Sequence, residues 1–287
     1  AGENISTFYQ QKYRFVFDKN NYFINDHRFE KQSMLPGAAL VEMAIVAANS
    51  AVDELLNEVS DIQWLAPVVV GEEPKSLEMA FNLEADFIHF RLYDATNLLH
   101  IFSEGKIAKG EVNPPLSREV SPENFDAVYA RCDNGIDASL CYQLLAHYGL
   151  EYGDHFKTIQ ELRLGEQELL ARIAFNKIPQ DQRLQNLHVC LLDGALQAVI
   201  GFIEKETLVA LAADPLLPIA ITRRLLPKSI AKLTFTAPLP STFWVHIHQR
   251  ASDAQSNDLS FDIDIIDMHG DSIARISDFA LAPVNKV

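Results

Sequence analysis

Residues 22–44 read Tyr-Phe-Ile-Asn-Asp-His27-Arg-Phe-Glu-Lys-Gln-Ser-Met-Leu-Pro36-Gly37-Ala-Ala-Leu-Val-Glu-Met-Ala44. One histidine stands among polar residues, and nine positions later comes Pro36-Gly37. Pro followed by Gly marks a turn, and Pro also suits the first turn of a helix. From Ala38 to Ala51 every residue is Ala, Leu, Val, Ile or Met except Glu42, Asn49 and Ser50. A helix apolar nearly all round is a buried one. The stretch therefore predicts a long buried helix to about residue 56, started by Leu35-Pro36-Gly37, with His27 in a polar loop nearby. Taken alone, His27 reads as a surface histidine.

Working outward, the order of elements decides the fold. Upstream, Tyr9, Tyr13, Phe15 and Phe17 alternate with other residues, and residues 6–24 read as strands, Tyr22-Phe23-Ile24 less cleanly. Downstream, strand-like runs cover Val59–Val70, Ser76–Leu83, Asp86–Asp94 and Leu98–Lys109. Strand, buried helix and several antiparallel strands make the order of a hot-dog unit, a curved sheet wrapped round one helix. Residues 111–122 hold three prolines and little apolar content, which reads as a linker. Ser121-Pro-Glu-Asn124 then looks like a helix start, with Ser as cap.

The second half repeats the order. Ser139–Tyr148 reads as a short helix, Thr158–Leu164 and Glu168–Phe175 as strands, and Leu187–Ile203 as a second buried helix. Pro218–Ile221, Ser229–Thr236, Trp244–Arg250, Leu259–Met268 and Ser272–Leu281 read as strands, with His269-Gly270 turning the last hairpin. The fold class is α+β, a double hot-dog. Residues 1–110 form one unit, 111–122 the linker and 123–287 the second unit, with the two helices side by side.

Composition sets outer limits. The chain has 287 residues, 48% hydrophobic and 22% charged, enough for one large or two ordinary domains with a buried core. Its net charge of −15 argues against nucleic acid as partner, since phosphate contacts need clustered Lys and Arg. Cys132, Cys141 and Cys190 make no C-x-x-C pair, so they suggest neither a zinc site nor a thioredoxin-like motif. No metal is expected, and the odd count fits free thiols in a reducing compartment. No run reaches the ~20 apolar residues of a membrane span, and the first residues are polar. A soluble, cytoplasmic protein is expected. The first residue is not Met, as expected of a piece of something longer.

Three motifs carry chemistry. His27 and Pro36 match the His-x-x-x-Gly-x-x-x-x-Pro motif, with Lys31 in the Gly position. Residues 147–156 read His-Tyr-Gly149-Leu-Glu-Tyr152-Gly153-Asp154-His155-Phe156. Alone this is a turn between helix and strand. It is similar to Gly-Tyr-x-Tyr-Gly-Pro-x-Phe, with Gly149, Tyr152, Gly153 and Phe156 matching, Leu150 replacing a Tyr and Asp154 the Pro. Asp193 and Gln197 stand four apart in a helical run and share a face. A carboxylate in so apolar a segment needs a reason. A plain helix-face hydrogen bond is one, and the Asp-x-x-x-Gln motif is the other. His188-Val-Cys-Leu-Leu precedes it, keeping the His and both Leu of His-Pro-x-Leu-Leu, and Pro218 matches a recurring Leu-Pro.

Together and in this order, these motifs resemble those of the dehydratase domains of modular polyketide synthases, across most of the chain. The resemblance implies loss of water from a β-hydroxyacyl thioester on an acyl carrier protein, giving an enoyl thioester. It implies a hydro-lyase without a cofactor of its own, the substrate riding on the carrier's phosphopantetheine. A neutral imidazole suits removal of the α-proton near neutrality, and a buried carboxyl keeps the proton that the departing hydroxide needs. His27 is thus the expected base, Asp193 the acid, and Gln197 the residue that orients it. That His27 and Asp193 meet in space is implied by the resemblance. Tyr152 and Gly153 are expected along the substrate tunnel, and His155 is read as a bystander. Amides at the Pro36-Gly37 helix start, Gly37 above all, are expected to stabilise the enolate.

Neighbouring synthase domains and a homodimer are the expected surroundings. An acidic carrier would dock on a basic patch, for which Arg223, Arg224 and Lys228 are the densest candidate, a solvated charged turn being the plainer reading. A long side chain at Lys31 is expected to reshape the loop behind His27. Double-bond migration, pyran-forming cyclisation, product-template cyclisation and a silent structural module are the rivals. Intact His27, Asp193 and Gln197 argue against silence, and Asp193 with Pro36 against the double-bond shift.

Overall fold

A computed structural model describes residues 2–52, 56–84, 86–108, 124–178, 188–219, 224–251 and 257–283. Before residue 109 the chain forms β1 (Glu3–Asn4), β2 (Gln11–Phe17), α1 (Tyr22–Asn25), β3 (His27–Phe29), β4 (Gln32–Ser33), α2 (Gly37–Asn49), β5 (Glu58–Trp64), β6 (Lys75–Leu83), β7 (Ile88–Asp94) and β8 (Asn97–Ala108). From 124 it forms α3 (Phe125–Arg131), β9 (Asn134–Ile136), α4 (Ala138–His147), β10 (Leu150–Tyr152), β11 (Ile159–Leu164) and β12 (Glu168–Ala174). Then come α5 (Val189–Gln197), α6 (Ile200–Ile203), α7 (Lys205–Ala213), β13 (Leu225–Phe235), β14 (Thr242–Gln249), β15 (Leu259–Ile266) and β16 (Ser272–Pro283).

Thirteen strands make one sheet in the order β1-β2-β6-β7-β8-β5-β13-β16-β15-β14-β12-β11-β9. Its halves meet where β5 pairs antiparallel with β13, Ile62 opposite Ile230 and Ser60 opposite Lys232. The alternation seen in the sequence builds this sheet. In β7, Phe90 and Leu92 go inward while His89 and Arg91 remain partly exposed. In β15, Phe261, Ile263 and Ile265 are fully buried. Each such side chain contributes about 1.5–3 kcal/mol of burial.

Inside the curved sheet lie the two helices. α2 is buried on almost every side, as its composition demands, and every residue of α5 is buried. They pack against each other. A Cβ on Gly194 would lie 1.9 Å from Thr158 Oγ1, so α5 reaches the sheet at a distance that only glycine permits. A second sheet, β10-β3-β4, sets His27 opposite Tyr152 and so ties the two halves together near the helices. This is the expected double hot-dog.

Several expectations need correction. Tyr22–Ile24 is helical, because the Asn21 carbonyl accepts from both Ile24 and Asn25 amides at 3.0 Å. One turn of helix has no period to read. Thr7 to Gln10 form a turn, leaving Phe8 and Tyr9 exposed ahead of β2. His27 lies in a strand and not a loop. The second buried helix stops at Gln197, where the chain tightens: the Val199 amide faces Leu196 O at 3.5 Å and Gly201 N donates to Ala198 O at 3.1 Å. Three-residue hydrogen bonds end the regular α geometry without changing burial, so composition could not show the break.

α7 was not expected at all, though Leu208 and Leu211, its buried pair three apart, stand among good helix formers. α3 starts at Phe125 behind Asn124, whereas the expected cap Ser121 lies outside the described residues. So does the linker 111–122. Pro218 and Ile219 belong to no strand, and the rest of that expected strand is outside the described residues.

Candidate active site

β3 carries His27, and its backbone fixes the ring. Met34 N donates to His27 O at 3.1 Å, and Tyr152 is its partner across the strand pair. The imidazole is 7% exposed, edge-on to the rings of Tyr152 and Phe156, with centroids 5.4 and 5.5 Å away. Asp193 sits in the middle of α5 and is also 7% exposed. One turn later, Gln197 Nε2 donates to Asp193 Oδ2 at 2.7 Å and to Phe156 O at 3.2 Å. Phe156 therefore touches both sides, its ring meeting His27 and its carbonyl holding Gln197.

Burial pushes the His27 pKa down, against the pull of the Asp193 charge and of the Met34 and His27 carbonyls. Burial pushes Asp193 up, against the His27 charge and the Gln197 hydrogen bond. Each group feels the other, so one dry site holds both. Burial thus favours the neutral imidazole and the protonated carboxyl, the forms that a general base and a general acid require. Nothing in the local sequence of either residue places them together. β3 of one half and α5 of the other do so.

Of the remaining expected residues, Tyr152 meets the His27 ring edge-on. Tyr152 is half-buried, and its hydroxyl is held protonated by burial and then by Asp193 and Tyr142. Gly153 N donates to Asp26 O at 2.8 Å. Pro36 precedes α2 in an extended conformation, and Gly37 opens the helix, its carbonyl accepting from Trp64 Nε1 at 3.3 Å. Met34, bonded to His27, stands just ahead of that helix start.

Tyr142 was missed. Its hydroxyl accepts from Ile159 N at 2.8 Å, its ring meets Tyr152, and its pKa is raised by burial first, with Asp193 among the further causes. A tyrosine on an ordinary amphipathic helix gives no signal for this. His188 stands just before α5 with φ +43° and accepts from the Leu191 and Leu192 amides. Burial lowers its pKa to about 4.

Two expectations about departures and docking are corrected. Lys31 is exposed at the tip of the β3–β4 hairpin, where Glu30 and Lys31 have φ of 48° and 68°. Its side chain points to water and does not reshape the ground behind His27. Glycine suits such a turn, which is why Gly in the motif fits there. Arg224 pairs with Glu30 at 2.5 Å and Lys228 with Asp258 at 2.6 Å, so neither is a free cation for docking. Arg223 lies outside the described residues. Far from His27 in the chain, Glu168, His246 and His248 bring three potential ligand atoms within 4.8 Å. Arg131 already binds both Glu168 oxygens, so this cluster carries its own counter-charge.

Among the described residues, no helix is long and apolar enough to cross a membrane. Comparison with known proteins bears on both halves. A family model described as "Polyketide synthase dehydratase domain" matches residues 1–95, and one described as "Polyketide synthase dehydratase N-terminal domain" matches 121–287. Polyketide synthase PksM of Bacillus subtilis is 28% identical over 286 residues, covering 95% of this chain but 6% of that synthase. The chain thus spans a small fraction of the curated relatives it matches. The trans-AT PKS dehydratase domain from Brevibacillus brevis superposes with a TM-score of 0.81 at 23% identity, covering 99% of this chain and 97% of that one. The dehydratase domain of RzxB from Pseudomonas fluorescens gives 0.79 at 25% identity, covering 98% and 97%. Sheet, paired helices and both family matches agree, and the chain belongs to the polyketide synthase dehydratases, hydro-lyases that act on β-hydroxyacyl thioesters.

Proposed function

We propose that His27 and Asp193 eliminate water from a β-hydroxyacyl thioester carried on the phosphopantetheine of an acyl carrier protein. The observation that carries this is the shared dry site, which lowers the imidazole pKa and raises the carboxyl pKa. His27 takes the proton from the carbon next to the thioester carbonyl. The electrons of that bond form the double bond, and the β-hydroxyl leaves with the Asp193 proton as water. Imidazolium and carboxylate then remain, and proton exchange between them restores the starting state. Gln197 fixes which Asp193 oxygen faces the hydroxyl. Gly37 at the α2 start offers its amide to the enolate oxygen, with Pro36 setting that start. Tyr152 and Gly153 line the acyl path.

The chemistry needs proton transfer only, and the donor and acceptor are both side chains of this chain. The surroundings belong to the same proposal: units at 1–110 and 123–287 joined by a linker, a homodimer, and a place among neighbouring domains of a cytoplasmic synthase. Support for the last is that the relatives are components of modular polyketide synthases.

The test is incubation with a β-hydroxybutyryl-loaded acyl carrier protein, reading loss of one water by mass. His27→Ala and Asp193→Asn are expected to lose at least 100-fold in rate, in line with the usual size of acid–base contributions. A fully active His27→Ala variant refutes the mechanism.

A further inference from the structure

We infer that Asp26, His155 and Tyr22 form a positioning cluster that fixes the strand of the base relative to the helix of the acid. The inference rests on the reading of His27 and Asp193 given above. Asp26 immediately precedes His27, and His155 immediately precedes Phe156. His155 Nδ1 meets Asp26 Oδ2 at 2.6 Å, and the His155 backbone N–H donates to the same oxygen at 3.3 Å. Gly153 N donates to the Asp26 carbonyl at 2.8 Å. A Cβ on Gly153 would stand 2.3 Å from the Asp26 carboxyl carbon, so the missing side chain is what lets the carboxylate seat against this turn. The His155 and Asp26 side chains are 13% and 21% exposed, and water screens the pair little.

The cluster extends to the second helix. The Tyr22 ring lies 4.8 Å from the His155 ring, centroid to centroid, and Tyr22 is near enough to the Cys190 thiol to oppose, weakly, the burial that raises its pKa. Cys190 is in the first turn of α5, three residues ahead of Asp193, and its carbonyl accepts from Thr158 Oγ1 at 3.3 Å. Three segments are thereby joined behind the site: the one that bears His27, the turn that bears Phe156, and the helix that bears Asp193.

β3 is three residues long, so few ladder hydrogen bonds hold its register. The reaction needs base and acid placed at adjacent carbons of one substrate at once, and a misplacement of about 1 Å can cost about 100-fold. A charge-assisted clamp at residue 26 removes that freedom. His155 occupies an unspecified position of its motif, so the clamp is a feature of this chain's own residues. It acts through His27 and does not touch the substrate.

Asp26→Asn, His155→Ala and His155→Gln in the whole chain, with the double variant Asp26→Asn/His155→Ala, test the idea. The assay is dehydration of the β-hydroxybutyryl-loaded carrier, with kcat and KM read separately and folding followed by thermal melt. Each disrupting variant is expected to lose about 10–100-fold in kcat, with KM changed less than about 2-fold. The double variant should be no slower than the slower single, since one interaction is being removed. His155→Gln, which retains an N–H donor, should recover part of the loss. If His155→Ala does not fold, the near-isosteric Asp26→Asn decides. Folded single variants with kcat within 2-fold of the parent, or losses that multiply in the double, overturn the inference. His27→Ala in the same assay separates the two readings. An active His27→Ala sinks the base assignment itself, whereas an inactive one beside fully active clamp variants sinks only the clamp.

Discussion

At Asp193, one carboxyl group is asked to keep a proton that water would remove. Its native pKa is raised above the ordinary 3.8, so the folded state holds more protons than the unfolded state between those two values. Stability therefore falls as pH rises through that interval, and at neutral pH Asp193 costs stability. Asp193→Asn should end dehydration and raise Tm at pH 7 by on the order of 2–4 °C, with the gain absent below about pH 3.8. An unchanged or lowered Tm at pH 7 in a calorimetric scan would remove the dry-site argument. His27 has the opposite sign. Its native pKa lies below the ordinary 6.5, so the native state binds fewer protons there and is destabilised as pH falls through that region.

The same two shifts define the rate profile, in which the pair titrates as a unit. The acid limb of activity should lie below pH 6.5, where imidazole protonates, and the alkaline limb above the usual carboxylate range, where Asp193 loses its proton. An acid limb above pH 6.5 in kcat/KM contradicts this. Lys31 offers a stability test away from the chemistry. With φ of +68° and an exposed side chain, Lys31→Gly should stabilise the chain by about 1 kcal/mol and leave kcat unchanged. Urea titration checks it.

Elements matter here through how closely they approach. α5 lies on the sheet at Gly194, within a contact that an added methyl group cannot share with Thr158. Gly194→Ala should destabilise by about 1–3 kcal/mol and slow dehydration, because pushing α5 away moves Asp193 as well. Gly194→Ala combined with Thr158→Ser should remain impaired, since the hydroxyl oxygen stays. With Thr158→Ala, part of the loss should return. Activity and urea midpoints that ignore Gly194→Ala would show that α5 has room to shift.

On the scale of the molecule, one sheet runs through both halves, joined where β5 meets β13. The chain's two tryptophans fall one in each half, Trp64 in β5 and Trp244 in β14. Trp64 packs edge-on to Phe279 across the junction, whereas Trp244 sits under α3 with Phe125 and Tyr129. Single-tryptophan variants made by Trp→Phe should therefore show coincident fluorescence transitions in denaturant. Two separated midpoints would mean that the halves unfold independently.

The sequence by itself determined the double hot-dog, because two largely apolar helical runs and a dozen alternating strands have few other ways to bury their surfaces. Asp193 and Gln197 stood out by their spacing and by the oddity of a carboxylate in an apolar helix, and the motif resemblance singled out His27 and Tyr152. Short elements escaped it: α1, β3 and β10 are too brief to display a period. So did the break at Gln197 and the partnership of His155 with Asp26, 129 residues apart. Only the tertiary structure decided that an imidazole from one half and a carboxyl from the other share one water-poor site. Proximity and desolvation arise from packing between distant segments, and no local pattern of residues encodes either.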